Sequence, residues 1–142
     1  MKIKVYNGET TEPNEGETVF YIQCKGNYSG RPLKKPIPNC WEVRTFRSVD
    51  FEIMYIIFES KILTPFLRGS VIPFLSLKDY KNIISPILDN AIQENRIINE
   101  HYLQLRKIEE NITHQDKIKK LLLEMKKAIS NEVYKKIESI SI

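Results

Sequence analysis

Hydrophobic and polar residues alternate in two of three short segments near the start of the chain, and this period of two predicts β-strands. The third, TVFYIQCK, is predicted to be a strand because it is rich in β-branched and aromatic residues. The segments are KIKVY from residue 2, TVFYIQCK from residue 18 and CWEVRTF from residue 40. In the last of them, Trp41 and Val43 fall on one face and Glu42 and Arg44 on the other, as in a strand that buries one side. Stretches rich in glycine, proline and asparagine separate the segments, so loops are expected between the strands.

After Arg47 the hydrophobic period lengthens to that of a helix. Residues 49–62 are predicted to form one mostly buried helix, with Ser48 as its N-cap and acidic residues in its first turn. The hydrophobic positions that support this prediction are Phe51, Met54, Tyr55, Phe58 and Ile62.

Residues 69–80, GSVIPFLSLKDY, are expected to contain a turn, a short strand and the start of a second helix. Gly69 suits the turn, and Pro73, which has no N–H to donate, places the strand SVIPFL at a sheet edge or a bulge. Ser76 and Asp79 have the spacing of a capping box at the helix start. This stretch is therefore interpreted as part of the fold rather than as an active loop.

From residue 86 the pattern becomes that of long amphipathic helices. Ser85 is the predicted N-cap and Pro86 the first helical residue, while Thr113 and Asp116 predict a second helix start. A seven-residue hydrophobic repeat lies before that second start, and another hydrophobic stripe follows it. The predicted fold is α+β: a small mixed sheet with one buried helix in residues 1–85, then a long C-terminal antiparallel helical hairpin, coiled-coil-like, in residues 86–142. The repeat consists of Ile84, Ala91, Ile98, Leu105 and Ile112.

The hydrophobic stripe of the predicted hairpin has two interpretations. Acids and bases are interspersed on the polar side, which favours a solvated face over a seam that closes within one chain. A hairpin that projects from a small core can instead leave apolar surface for a partner, such as a second copy in a homodimer. The residues predicted for that interface are Ile98, Tyr102, Leu105, Ile112, Leu122 and Met125.

Charge is distributed unevenly, although the net charge of the 142 residues is only +4, from 22 basic and 18 acidic residues. From Lys25 to Arg47 the only acid is Glu42. Basic side chains next to a tyrosine suit nucleic acid, because cations contact phosphates and an aromatic ring stacks on a base. A solvated loop with Tyr28 and Leu33 folded onto the core is equally compatible with the pattern. The predicted nucleic-acid-binding residues are Lys25, Asn27, Tyr28, Arg31, Lys34, Lys35, Arg44 and Arg47.

The sequence contains no phosphate-binding loop, nucleophile elbow, metalloprotease helix or pair of catalytic carboxylates, so a non-enzymatic protein is expected. His101 and His114 lack partners at metal-ligand spacing, and Cys24 and Cys40 do not form a CxxC motif. No metal and no cofactor are therefore predicted, and the two thiols are expected to be free.

The longest apolar run, FEIMYIIF, is too short to cross a membrane, and the N-terminus lacks the pattern of a secretory signal. A cytoplasmic protein without a membrane partner is expected.

Two segments, FYIQCKGNYSGRPLKKPIPNCWEV and GSVIPFLSLKDY, resemble an uncharacterised family of small proteins from Bacteroidota, whose members share an SG+P...PNC loop and a GSVIPF segment. This resemblance covers most of the chain. It implies no known activity.

Residues 50–86 are also similar to the end of a target recognition domain in type I restriction specificity subunits, where such a segment precedes a long coiled-coil helix. The resemblance implies recognition of DNA. Such subunits normally carry two recognition domains, and this chain has room for one. The resemblance therefore also implies that two chains pairing through their helices could restore the two-domain arrangement. The matching positions are Gly69, Ser70, Pro73, Ser76, Leu77, Tyr80, Ile83 and Pro86.

Two functional hypotheses follow. The first is a DNA-binding recognition module acting through the loop at residues 25–36 with Arg44 and Arg47. The alternative is a protein-interaction or oligomerisation module acting through the C-terminal helices. One protein can do both.

Overall fold

The first part of the chain forms a four-stranded antiparallel sheet in the computed structural model, which describes residues 1–91 and 95–140. The strands are β1 (Lys2–Val5), β2 (Thr18–Gln23), β3 (Pro32–Leu33) and β4 (Cys40–Thr45), and their order across the sheet is β1-β4-β2-β3. The three strands predicted from the sequence are confirmed as β1, β2 and β4. The predicted α+β class is confirmed too, although the described strands pair only antiparallel rather than in a mixed sheet.

The alternation in β4 separates a buried face of the sheet from a polar one. Trp41 pairs with Ile22 and Val43 with Phe20, and all four belong to the hydrophobic core. Glu42 points to the other face, where its neighbours in the register are Lys4 of β1 and Tyr21 of β2. The two-residue period therefore predicted the faces of β4 correctly.

Helix α1 (Asp50–Glu59) packs on the buried face through Ile53, Met54 and Ile57. It is shorter than the predicted range of 49–62. Ser48 does not cap it, because Val49 occupies the N-cap position and no side chain makes a capping bond there.

The predicted strand SVIPFL is wrong, because residues 70–75 form only two isolated bridges. A short 3₁₀ helix (Thr64–Phe66) leads into a tight turn, in which Arg68 and Phe74 exchange backbone hydrogen bonds of 2.9 and 2.8 Å. Gly69 makes this turn feasible: its φ is +92°, and a Cβ would lie 2.5 Å from the Ile72 carbonyl oxygen.

Helix α2 (Leu77–Asn90) starts as its capping signal predicted, since the Asp79 N–H donates to Ser76 Oγ at 3.1 Å. The prediction that a helix starts at Pro86 is wrong, because Pro86 lies inside α2. Ser85 does not cap a helix but donates its hydroxyl to the Lys81 carbonyl. The boundary expected between residues 85 and 86 thus falls within a helix whose buried side chains complete the core. These side chains are Tyr80, Ile84 and Leu88.

Tyr80 should be replaceable by phenylalanine with a gain in stability. Its side chain is fully buried beside Trp41, and its hydroxyl has no hydrogen-bond partner among the described residues. An unpaired buried hydroxyl costs about 1 kcal/mol or more, so Tyr80→Phe should raise the free energy of unfolding by about 1 kcal/mol. Urea unfolding followed by Trp41 fluorescence measures this, with exposed Tyr134→Phe as the control. A loss of stability would contradict the expectation.

The predicted C-terminal hairpin is wrong, because one helix, α3 (Asn95–Ile140), runs through the expected turn. Thr113 donates its hydroxyl to the Glu109 carbonyl one turn earlier, as a residue within a helix does. No glycine or proline follows Pro86 in the sequence, so nothing at residues 113–116 breaks the helix.

The chain divides into two compact units. The first, Met1–Tyr102, contains the sheet, α1, α2 and the first turns of α3, and the second begins at Leu103. Ile98 packs against the core of the first unit, and the Tyr102 ring lies edge-on to Phe51 and Tyr55, with centroids 6.3 and 5.3 Å away. Within the described ranges, no helix is both long enough and apolar enough to cross a membrane.

Candidate functional surfaces

The basic loop, defined here as residues 25–36, is held firmly at its base. Ser29 is buried and donates its hydroxyl to the Gly26 carbonyl at 2.7 Å, while the Gly26 N–H donates to the Pro73 carbonyl at 2.8 Å. Gly30 is needed beside the core, since a Cβ there would lie 2.4 Å from Leu63 Cδ1. The loop is therefore an ordered feature joined to the turn at Gly69.

The lysines and the tyrosine of the basic loop are exposed, whereas Arg31 is half-buried. In the described part of the chain, no carboxylate forms an ion pair with Lys25, Lys34 or Lys35. Tyr28 is exposed rather than folded onto the core, and the Arg31 guanidinium lies 4.7 Å from its ring centroid. Six of the eight residues predicted to bind nucleic acid lie on this one loop: Lys25, Asn27, Tyr28, Arg31, Lys34 and Lys35.

Arg44 is not part of this surface. It lies at the end of β4 opposite the basic loop, on the polar face of the sheet. Its Nε donates to Glu42 Oε1 at 2.8 Å, its Nη1 to Glu17 Oε2 at 3.1 Å and its Nη2 to the Thr11 carbonyl at 2.7 Å. The guanidinium therefore joins the N-terminal loop to the sheet.

Glu42 is the buried centre of this network. Its side chain is 1% exposed, and Lys4 Nζ lies 3.2 Å from the same carboxyl oxygen that Arg44 contacts. Burial is the largest single influence and opposes ionisation, but the hydrogen bonds from Arg44 and Lys4 outweigh it and lower the pKa of Glu42. The carboxylate is thus held charged inside the fold.

Arg47 is also used within the fold. Its Nε donates to Asp50 Oδ1 at 2.7 Å and its Nη1 to the Leu88 carbonyl at 3.2 Å. Asp50 is buried and accepts the Thr45 hydroxyl at 2.6 Å. Arg47 therefore ties the end of β4 and the start of α1 to α2. The three-residue spacing from Arg47 to Asp50 is the sequence signal that could have indicated this pair.

Both cysteines are free thiols, as predicted. Cys24 Sγ donates to the Asn39 carbonyl at 2.8 Å, and burial raises the pKa of both thiols. Over residues 1–91 and 95–140, no group of three His, Cys, Asp or Glu residues is placed to hold a metal ion. His101 and His114 are exposed on α3.

The second candidate surface is the helical stripe, defined here as the hydrophobic side chains of α3 from Leu105 to Ile129. Ile112 is 56% exposed, and Leu122 and Met125 are each 59% exposed. Of the six residues predicted for a helical interface, Ile98 and Tyr102 instead help to complete the first unit, whereas Leu105 is half-buried. The stripe also contains Ile108, Ile118, Leu121 and Ile129.

A family profile matches residues 3–132 of the chain, and its description is a family of unknown function (DUF6943). The protein belongs to this family. The DUF6943 match includes the whole basic loop and the helical stripe. It agrees with the resemblance to an uncharacterised family. Comparisons with curated proteins and with solved structures give no match.

Proposed function

We propose that this DUF6943 protein is a non-enzymatic self-association module, and that the helical stripe binds a second copy of the chain. The observation that carries the proposal is the row of large hydrophobic side chains that α3 exposes beyond Tyr102. An apolar row of this length on a soluble protein is typical of an interaction surface.

The stability of α3 gives a second reason. Most helical stability in proteins comes from packing an amphipathic face, because nucleation is unfavourable and intrinsic propensity is weak. The second unit consists of α3 from Leu103 onward, without a sheet or another helix over its described part. A second copy would supply the packing that this segment lacks, and hydrophobic residues three and four apart, as at Leu105, Ile108 and Ile112, are the pattern by which helices pair.

Light scattering on the full chain tests the proposal. The chain mass is 16.7 kDa, and we expect a particle of twice that mass that dissociates on dilution. A particle of 16.7 kDa at every accessible concentration would contradict self-association.

Binding of DNA by the basic loop is a second candidate function. The loop presents Lys25, Lys34 and Lys35 without ion-pair partners among the described residues, beside an exposed Tyr28. Such a surface suits phosphate contacts and base stacking. The resemblance of residues 50–86 to part of a DNA target recognition domain supports the same function. Arg44 and Arg47 are left out of this proposal because of their contacts within the fold.

Lys34→Glu with Lys35→Glu should weaken binding of a mixed-sequence DNA duplex in fluorescence anisotropy. If both lysines contact phosphates, the slope of log affinity against log salt should fall by about 2. The matched control is Lys78→Glu with Lys81→Glu, which makes the same charge change at two exposed positions of α2. Absence of binding at low salt, or equal loss in both variants, would contradict a role of the basic loop.

A further inference from the structure

We infer that the two copies of α3 pair antiparallel, with the two-fold axis between the levels of Ile118 and Lys119 and residues 105–132 as the overlap. This inference rests on the proposed self-association and adds the direction and register of the helices. Two features of α3 support this inference: the phase of its hydrophobic positions and the charges beside them.

The helical stripe consists of two parts with different phase. Its first part contains Leu105, Ile108 and Ile112, and its second part begins at Ile118. The five residues between them, 113–117, are all polar. Because α3 runs through them without a turn, the two parts cannot pack on each other within one chain. In an antiparallel pair, the first part of each chain lies against the second part of the other.

One antiparallel register aligns Ile108 and Ile112 of the first part with hydrophobic residues of the second. When Ile112 lies opposite Met125 of the second copy, Ile108 lies opposite Ile129, and each Ile118 lies opposite Lys119, next to the two-fold axis. Gln115 then lies opposite Leu122. The spacing of three and four residues in each part makes these layers coincide, as knobs-into-holes packing requires.

The charges beside the hydrophobic layers agree with the same register. Glu109 follows Ile108 and Asp116 follows Gln115, while Lys119 and Lys126 follow Ile118 and Met125. Equivalent flanking positions face each other in an antiparallel pair, so Glu109 meets Lys126 and Asp116 meets Lys119. The two-fold axis repeats both contacts. Glu109 already accepts a hydrogen bond from Arg106 at 2.8 Å, and a carboxylate has capacity for a second cation.

A parallel, in-register pair would bring no opposite charges together at these positions. Facing flanking positions are then five residues apart, which places Glu109 opposite Gln104, Asp116 opposite Asn111 and Lys126 opposite Leu121. Flanking charges set the orientation of paired helices. The charge pattern therefore favours the antiparallel direction.

The lysine-rich end of α3 also favours the antiparallel direction. Residues 117–136 contain seven lysines and two glutamates. A parallel pair would align these segments, each of net charge +5, at the same level. The antiparallel pair places each beside residues 101–120, whose three acids and five bases give only +2, so the repulsion is smaller.

A spin-label distance measurement on the full chain tests the direction. Asn131→Cys, in a chain with Cys24→Ala and Cys40→Ala, carries one label on the polar side of α3. In the antiparallel register, residue 131 of one copy lies opposite residue 106 of the other. The two labels are then separated along the pair by about 25 residues, or about 40 Å at ~1.5 Å per residue. A parallel pair would hold them within about 25 Å, from helix axes ~10 Å apart plus two label arms.

The outcomes separate the inference from the proposed function. A dimer with the long distance supports both. A dimer with the short distance overturns the antiparallel direction and leaves self-association standing. A monomer at every concentration, found also for the chain with its natural cysteines, overturns both.

A charge reversal checks the register without removing cysteines. Glu109→Lys with Asp116→Lys turns four attractive contacts into repulsive ones and should weaken the antiparallel dimer about 100-fold. Adding Lys119→Glu and Lys126→Glu in the same chain should restore it. The control, Glu12→Lys with Glu15→Lys, makes the same charge change in the exposed N-terminal loop. An unchanged affinity of the first variant, or no recovery in the fourfold variant, would overturn the register.

Discussion

Leu122→Glu combined with Met125→Glu should convert the self-associated protein into a monomer. Burial of a leucine or methionine side chain contributes about 1.5–3 kcal/mol, and each copy supplies both residues. Burying a glutamate in their place adds a desolvation cost, so dissociation should become at least ~1000-fold more favourable. Light scattering over a dilution series measures this change.

The first unit should stay folded in this variant, because both side chains are exposed in the single chain and lie beyond Tyr102. Unchanged Trp41 fluorescence would confirm that. The matched control is Thr113→Glu with Asn131→Glu, which adds the same charge on the polar side of α3 and should leave the dimer intact. Equal dissociation in both variants would show that added charge, rather than loss of the helical stripe, separates the chains.

Glu42→Gln should lower the free energy of unfolding by about 3 kcal/mol, as is typical when one partner of a buried ion pair is removed. The change leaves Arg44 and Lys4 without the carboxylate that both contact, at 2.8 and 3.2 Å. Urea unfolding at neutral pH measures the loss. Glu12→Gln, on an exposed residue of the N-terminal loop, should have no comparable effect.

The difference in free energy of unfolding between the wild type and Glu42→Gln should depend on pH in a definite direction. The pKa of Glu42 is lowered in the folded protein from an ordinary value of 4.5, and that of Glu17 is lowered as well. Stability from these carboxylates is therefore fully present above pH 4.5 and lost as pH falls through their lower folded pKa values. The difference in free energy of unfolding between the wild type and Glu42→Gln should therefore become smaller in acid. A difference that stays constant from neutral to strongly acidic pH would contradict the role of Glu42.

The sheet was predictable because its signals are local. Alternation in β4 identified both faces, and the Ser76–Asp79 spacing identified the start of α2. The strand predicted over SVIPFL failed because Gly69 allows a turn so tight that Arg68 and Phe74 pair directly. A strand propensity of six residues does not reveal how the chain on either side of it will fold back.

The hairpin prediction failed at residues 113–116, where polar residues with capping spacing interrupt the hydrophobic repeat. A polar break in a stripe indicates a turn only if the backbone also has a reason to leave the helix, and no glycine or proline is present there. Of the first predicted stripe, Ile84, Ala91 and Ile98 pack in the first unit. The antiparallel dimer proposed here pairs the rest of it with the second stripe, between chains rather than within one.

The basic loop was recognised from composition, but Arg44 and Arg47 were assigned to it only because they follow it closely in sequence. The alternation in β4 places Glu42 on the same face as Arg44, and the three-residue spacing indicates that Asp50 can pair with Arg47. The contact between Arg44 and Glu17 could not be predicted, because it depends on the path of the N-terminal loop.

Hydrogen–deuterium exchange of α3 as a function of protein concentration tests the central claim most directly. If a second copy covers the helical stripe, backbone amides of residues 105–132 should exchange slowly at high concentration and much faster on dilution. The sheet and α1 should keep their protection throughout, because their core lies within the first unit. Exchange of residues 105–132 that is fast and independent of concentration would contradict self-association through α3.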